Sequence, residues 1–193
     1  FTNIAHEIRT PLSLITAPLE KIIRSGDGNK QTQKHLNSIE RNTNRLLDLV
    51  NQLLDFRKIE NDMFILNYRL QSIEKIVQKV FKQYEQDTKL HNIKMTIEMQ
   101  KDVISYVDSE ALYKIISNLI SNAIKFTEKG QIKLGYRLLD PETLYFYVSD
   151  TGCGIAANKI EHVFGRFVKL NNFEQGTGLG LAISETIVNK LGG

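Results

Sequence analysis

The residue with the sharpest chemistry is His6, set in the run Phe1-Thr2-Asn3-Ile4-Ala5-His6-Glu7-Ile8-Arg9-Thr10-Pro11-Leu12. From Ile8, the apolar residues Leu12, Ile15, Leu19 and Ile22 follow at steps of four, three, four and three, the seam of a helix packed in a bundle. At about 100° per residue, His6 projects about 160° away from that seam, toward solvent. On an exposed helix face a histidine is by itself an ordinary polar residue, but its neighbours allow a second reading. A carboxylate beside an imidazole, as Glu7 is here, holds the ring tautomer and accepts its proton, leaving the other nitrogen free to attack. Thr10 stands one turn on, along the same face. Pro11 removes a helix hydrogen bond at a cost of about 3 kcal/mol, which predicts a kink or loosened turn just beyond His6, although Pro18 repeats the defect with no chemistry nearby.

Three further sets of residues carry chemistry. In Asn118-Leu119-Ile120-Ser121-Asn122-Ala123-Ile124-Lys125-Phe126-Thr127, the predicted buried stripe is Leu112, Ile115, Ile116, Leu119 and Ala123, with Asn118, Asn122 and Lys125 stacked on its flank. Two amides and an ammonium on one edge are either incidental polar residues or a device for a hard cation such as Mg2+ and the phosphates it accompanies. Alternation through Leu144, Phe146 and Val148 carries on to Asp150, predicting a carboxylate on the buried face at a strand end. Such a group needs donors. A neighbouring backbone segment or a planar base with an exocyclic amino group would supply them, and Thr151-Gly152-Cys153-Gly154 lets backbone come close to a ligand. Last, Gly176-Thr177-Gly178-Leu179-Gly180-Leu181 opens a helix, where exposed N–H groups suit phosphate. Its spacing is neither a dinucleotide-binding fingerprint nor a lysine-bearing phosphate loop. Phe164, Arg166, Phe167 and Lys169 precede it and could close over a nucleotide; a plain surface loop is the alternative.

The elements that position these residues divide the chain in two. After the turn Ser25-Gly26-Asp27-Gly28-Asn29, the positions Leu36, Ile39, Thr43, Leu46, Val50 and Leu53 repeat the three-four spacing, and Leu47 and Leu54 widen the stripe. A lone hairpin of this kind leaves apolar surface uncovered, so pairing of two hairpins in a homodimeric four-helix bundle is predicted; packing on the rest of the chain is the alternative. Past Glu60-Asn61 the texture changes to strands around Ile93–Met99, Ile132–Leu138 and Leu144–Val148, among helices around Ile73–Tyr84, Leu112–Ile124, Lys159–Phe164 and Leu179–Leu191. The expected architecture is α+β multidomain: a helical hairpin over 1–60, then an α/β sandwich with a mixed sheet over 61–193, one sheet face covered by helices and the other left to water.

Composition narrows the function classes. The 193 residues carry 25 Lys+Arg against 22 Asp+Glu, a net charge of +3, with 41% hydrophobic residues, the profile of a folded domain without the long basic block of a nucleic-acid binder. One cysteine, Cys153, allows neither an internal disulfide nor a cysteine-rich zinc site and fits a reducing compartment. No apolar run reaches the roughly 18 residues of a membrane span, so no direct membrane contact is expected of this segment. The chain begins within a helical pattern and ends at Gly192-Gly193, which reads as a piece of a longer protein.

Taken together, the four sets resemble the bacterial sensor histidine kinases of two-component systems, over nearly the whole chain. His6-Glu7-Ile8-Arg9-Thr10-Pro11 is similar to the family's H box, Asn118 to Phe126 to its N box, and Asp150-x-Gly152-x-Gly154 to its first glycine box. Phe164-x-x-Phe167 is similar to the F box, and Gly176-x-Gly178-x-Gly180 to the second glycine box. The resemblance implies a dimerisation and phosphotransfer hairpin followed by an ATP-binding domain of the type shared with some chaperones, topoisomerases and mismatch-repair proteins. It implies that ATP and Mg2+ are bound and that the γ-phosphoryl group passes to His6, with Glu7 as its base, and then to an aspartate of a response regulator receiver domain. Thr10 would place water for dephosphorylation of that partner, Asn122 would hold Mg2+ with Asn118 close by, and Lys125 and Arg166 would meet phosphates. Asp150 would bind the adenine amino group, while Gly152, Gly154, Gly176, Thr177, Gly178, Leu179 and Gly180 would shape the pocket. A cytoplasmic core is implied, with anchoring of a full-length protein to the inner membrane left open, and the hinge is expected near Glu60.

Two departures stand out: Ala156 occupies the position of a common proline, and the segment between Phe167 and Gly176 is short. In the family a final pair of strands usually comes after the position of Gly193, where this sequence stops. An ATP-binding dimeric scaffold acting mainly as a response-regulator phosphatase is the second reading, and an ATP hydrolase the third; intact His6, Glu7, Asn122 and Asp150 argue against lost chemistry.

Overall fold

The computed structural model describes residues 2–25, 30–61, 63–168 and 177–193, with the side chains at 2–7, 9, 23–25, 30–31 and 45 left aside. It divides into two compact units, Phe1–Phe64 with Gly165–Gly180, and Ile65–Phe164 with Leu181–Gly193.

The first unit is built on α1 (Thr2–Ser25) and α2 (Lys30–Glu60), which pack along each other. α1 continues through both Pro11 and Pro18, so the loosening expected after His6 does not end the helix. Pro11 is among the fully buried side chains, and that packing offsets part of its lost hydrogen bond. The stripe that closes the hairpin differs from the one predicted. Asn42 and Leu49, seven residues apart and each only 5% exposed, lie inside, while Leu36 and Val50 of the expected stripe stay exposed. Asn42 satisfies its amide by donating from Nδ2 to the Ser38 carbonyl at 2.7 Å. Two helices touch along one line, and an apolar stripe as wide as that of α2 has more residues than one partner helix can cover.

In the second unit, β1 (Arg69–Ser72) pairs antiparallel with β3 (Ile104–Val107). A separate three-stranded sheet has the order β2 (Ile93–Met99), β4 (Gly130–Leu138), β5 (Leu144–Asp150), its first pair parallel and its second antiparallel. The parallel pair requires a long crossover, which runs through β3 and α4 (Ser109–Phe126). With α3 (Ile73–Leu90), α4 covers one face: Ile73, Ile76, Val77 and Val80 meet Leu112, Ile116 and Ile120 over Leu134 and Tyr136. α5 (Gly180–Lys190) adds buried Ala182, Ile183 and Ile187.

Local chemistry starts the covering helices. Ser72 Oγ accepts from Lys75 N at the head of α3, and Asp108 Oδ1 accepts from Glu110 N and Ala111 N at the head of α4, satisfying donors that have no partner within the helix. The opposite sheet face is wet: Lys133 Nζ and Tyr147 Oη donate to the Glu98 carboxylate at 2.8 and 3.0 Å. β1 and β3 were not foreseen. With four residues each, and Leu70, Ile104 and Tyr106 turned to solvent, neither shows a legible alternation. The helix expected around Lys159–Phe164 is a 3₁₀ helix, Ala157–His162, with no buried residue.

Candidate functional site

α4 is held to the core by Ala111, Leu112, Ile115, Ile116, Ile120 and Ala123. Ile120, rather than the expected Leu119, completes the buried stripe, because Leu112, Ile116 and Ile120 follow at successive steps of four. The flank keeps Asn118 and Asn122 half-buried and Lys125 exposed. Asn118 Nδ2 donates to Ser184 Oγ of α5 at 2.8 Å, which fixes the plane of its amide, and the Lys125 ammonium stands 4.5 Å from the centre of the Phe126 ring.

At its C-terminal end α4 is sewn to the turn that follows β5. Cys153 N donates to the Phe126 carbonyl at 3.2 Å, and Thr151 N to the Gln131 carbonyl at 3.2 Å. Gln131 N returns a bond to Thr151 Oγ1 at 3.0 Å. A Cβ at Gly152 would lie 2.4 Å from the Phe126 carbonyl oxygen and 2.8 Å from Asp150 Oδ1, so this approach of backbone to backbone requires glycine. Asp150 Oδ1 accepts from Gly152 N at 2.8 Å. The strand parity is as expected, with Leu144, Phe146 and Val148 packed on the core, but the carboxylate is exposed, not buried. β5 ends there with β4 as its one neighbour among the described strands, so water supplies what a buried carboxylate would have to find in protein. The sequence-predicted Asn118, Asn122, Lys125, Asp150, Gly152 and Gly154 therefore all belong to one unit, and the Asp150 turn joins directly to α4.

Among the described residues no cluster of three His, Cys, Asp or Glu side chains could cage a metal. The amide oxygen of Asn122 is a donor suited to a hard cation that keeps phosphate and water oxygens as its other ligands; the residues present fit Mg2+ arriving with a nucleotide.

Arg166, Thr177, Gly178, Leu179 and Gly180 lie with the hairpin unit. Arg166 Nη1 pairs with Glu60 Oε1 at 3.2 Å, its guanidinium 5.1 Å from the centre of the Phe56 ring, and Phe56 meets Phe167 edge-on at 5.9 Å. Thr177 Oγ1 donates to Gln52 Oε1 at 2.5 Å and accepts from Leu179 N at 3.1 Å. Phe167 N donates to the Gly178 carbonyl at 2.9 Å. Gly178 has φ +68° and its Cβ position would fall 2.6 Å from the Val168 carbonyl oxygen, a second place where only glycine fits. Leu179 is buried. Gln52, Phe56 and Ser184 were not singled out in the sequence, and Glu60 was named there only as the expected hinge; Gln52, Phe56 and Glu60 at four-residue spacing on one helix were the available signal. Thr10 is exposed on α1. The roles expected of His6 and Glu7 rest on side chains outside the described ones, and Gly176, Lys169 and the turn at 26–29 lie outside the described residues.

Comparison with known proteins gives two family matches: the His Kinase A phospho-acceptor domain over residues 1–62, and the histidine kinase-, DNA gyrase B- and HSP90-like ATPase over 107–193. Histidine kinase P4 of Formosa agariphila is 37% identical over 97% of the chain, and sensor histidine kinase TmoS of Ectopseudomonas mendocina is 37% identical over 97%. The chain spans 14% and 20% of the length of these two relatives. Among solved structures, full-length ShkA in complex with AMPPNP matches 99% of the chain and 40% of its own length at a TM-score of 0.74 and 26% identity.

Proposed function

The chain belongs to the histidine kinases, and from that premise we propose that it is a sensor histidine kinase core which moves the γ-phosphoryl group of Mg2+-ATP to His6 and then to a response regulator aspartate. Residues 1–60 form the phosphotransfer hairpin and 61–193 the nucleotide domain. What carries the reading is the junction of the Asp150–Cys153 turn with the last turn of α4, a carboxylate and an asparagine-bearing helix flank on one unit.

The Asp150 carboxylate accepts the adenine amino hydrogen, and its exposure leaves it open to a ligand. Asn122 would hold the cation through its amide oxygen, Asn118 is steadied by Ser184, and Lys125 and Arg166 are the cations that would meet phosphate oxygens. Mg2+ supplies charge neutralisation of the phosphates when bound. At His6 the free ring nitrogen forms a bond to the γ-phosphorus as the bond to the β-phosphate oxygen breaks and ADP leaves; the proton on the other ring nitrogen goes to Glu7. The residues therefore contribute position and charge, which is most of what phosphoryl transfer asks of a protein. Two chains pair through the hairpin, a reading supported by the exposed Leu12, Leu19, Leu36, Leu47, Val50 and Leu54. No described helix is long and apolar enough to cross a membrane. The compartment that goes with the proposed reaction is the cytoplasm, where ATP and a receiver domain would meet the core.

The test is incubation with γ-labelled ATP and Mg2+, following protein-bound label. Acid-labile, base-stable label is expected on the wild type and none on His6→Ala. Label that persists in His6→Ala, or labelled phosphate released to water with none on the protein, overturns the reading.

A further inference from the structure

The last three turns of α2 present Gln52, Phe56 and Glu60 at four-residue steps, a single stripe on a helix. Each takes a partner from the two ends of the glycine segment: Thr177 on Gln52, Phe167 on Phe56, and Arg166 across Phe56 to Glu60. Phe167 N bonded to the Gly178 carbonyl ties those ends together, so the three contacts act on one piece of backbone. The chemistry offered to Arg166 is that of an anionic ligand: a carboxylate oxygen at hydrogen-bond distance from the guanidinium and a ring face within cation–π reach. Glu60 is also 3.8 Å from Arg57, which holds a second cation beside the same carboxylate.

We propose that this stripe of α2 is an internal competitor of the nucleotide, with the Glu60 carboxylate standing where Arg166 would otherwise have phosphate oxygens. The inference rests on the assignment of Arg166 to phosphate above. An arginine held by Glu60 is withheld from ATP, and ATP that takes Arg166 undoes its contact with α2; by linkage, each weakens the other by the same factor. The state of the end of α2 thereby sets nucleotide affinity, without any new residue in the nucleotide site.

The experiment is calorimetric titration of the whole chain with Mg2+-AMPPNP, in the wild type, Glu60→Gln, Gln52→Ala, Arg166→Ala and the double variant Glu60→Gln/Arg166→Ala. An exposed charged pair backed by a ring contact corresponds to about a two- to fivefold change in an equilibrium constant. Glu60→Gln is expected to tighten binding by about that factor, Gln52→Ala by less, and Arg166→Ala to weaken it. Glu60→Gln is expected to have no effect once Arg166 is gone. An unchanged or weaker affinity in Glu60→Gln overturns the proposal, as does an equal gain in the Arg166→Ala background. Labelling of His6 in the same series separates the two readings. Label together with an unchanged Glu60→Gln affinity overturns the competitor alone, while the expected affinity pattern without label overturns the kinase and leaves the competitor standing. No binding by any variant overturns both.

Discussion

In α4, Leu112, Ile116 and Ile120 are enclosed by α3 and the sheet, whereas in α2 Leu47 and Leu54 are 57% and 55% exposed and Leu36 and Val50 share that condition. Both helices are amphipathic, and both present apolar residues at three-four spacing. The difference is that α4 finds inside its own unit a second layer that covers its stripe, whereas the described residues of the hairpin unit leave Leu36, Leu47, Val50 and Leu54 of α2 uncovered. Apolar residues on a helix face thus mean two things in one chain: a completed core in the nucleotide domain and an unfinished one in the hairpin.

The sharpest way to break this contrast is to delete the same chemistry from each side. Ile120→Ala empties a fully buried site and is expected to cost about 2–5 kcal/mol of unfolding free energy, read as a lower urea midpoint of the nucleotide domain. Leu54→Ala is expected to change the stability of a dilute monomer by less than about 0.5 kcal/mol. If Leu54→Ala costs as much as Ile120→Ala at every protein concentration, the hairpin is closed within its own chain and the contrast fails. The second test charges the open stripe. Leu47→Glu with Leu54→Glu places four carboxylates in a paired bundle, and sedimentation is expected to show monomers where the wild type is a dimer, a loss of about 2 kcal/mol or more in association. A wild type that sediments as a monomer, or a charged variant that still pairs, counts against the unfinished core.

A third, smaller effect separates backbone demand from packing. Gly152→Ala pushes a methyl group to within 2.4 Å of the Phe126 carbonyl, so the Asp150 turn must part from α4. The expected result is about a tenfold weaker affinity for Mg2+-ATP, equivalent to about 1.4 kcal/mol, with the urea midpoint almost unmoved because no core residue is displaced. Unchanged affinity would show that the union of the turn with α4 does not shape the site.

How much of this was legible in the sequence follows from the range over which each feature is encoded. β4, nine residues long, carries Ile132, Leu134 and Tyr136 at every second position, β5, seven residues long, carries Leu144, Phe146 and Val148 likewise, and α2 repeats its period over 31 residues, so local pattern suffices. β1 and β3, at four residues each, are held by their mutual pairing and give no such signal. In α2 the spacing announces an apolar stripe but not which part of it is covered, since the burial of Asn42 and Leu49 depends on what packs against α2 and not on the period. Asp150 is a similar case. Its parity is local and was readable, whereas its exposure depends on which strands flank β5. Least legible was the partner of Arg166: Glu60 lies 106 residues away along the chain, and the family resemblance proposes phosphate for Arg166, an anion whose place a carboxylate can take.

The smallest expected effect sharpens the contrast from the solvent side. Glu98 on the wet sheet face accepts from Lys133 and Tyr147, and these bonds, led by that from Lys133, hold its carboxyl below the usual glutamate value of 4.5. The same bond holds the Lys133 ammonium above its usual 10.5. For Glu98, a lowered value in the folded state means stability that is present above 4.5 and is lost as the pH falls through the lowered folded value. For Lys133, a raised value means stability present below 10.5 and lost as the pH rises through the higher folded value. Glu98→Gln removes both, so the wild type is expected to melt slightly higher than the variant between these limits, with the two curves converging on either side. The groups are exposed, so added salt is expected to shrink the gap. A gap that is constant with pH and salt would mean that Glu98 acts by packing over β4. In that case the covered face of the sheet would not be the only one whose side chains hold the strands by contact, and the division between a dry core and a wet face within the nucleotide domain would need redrawing.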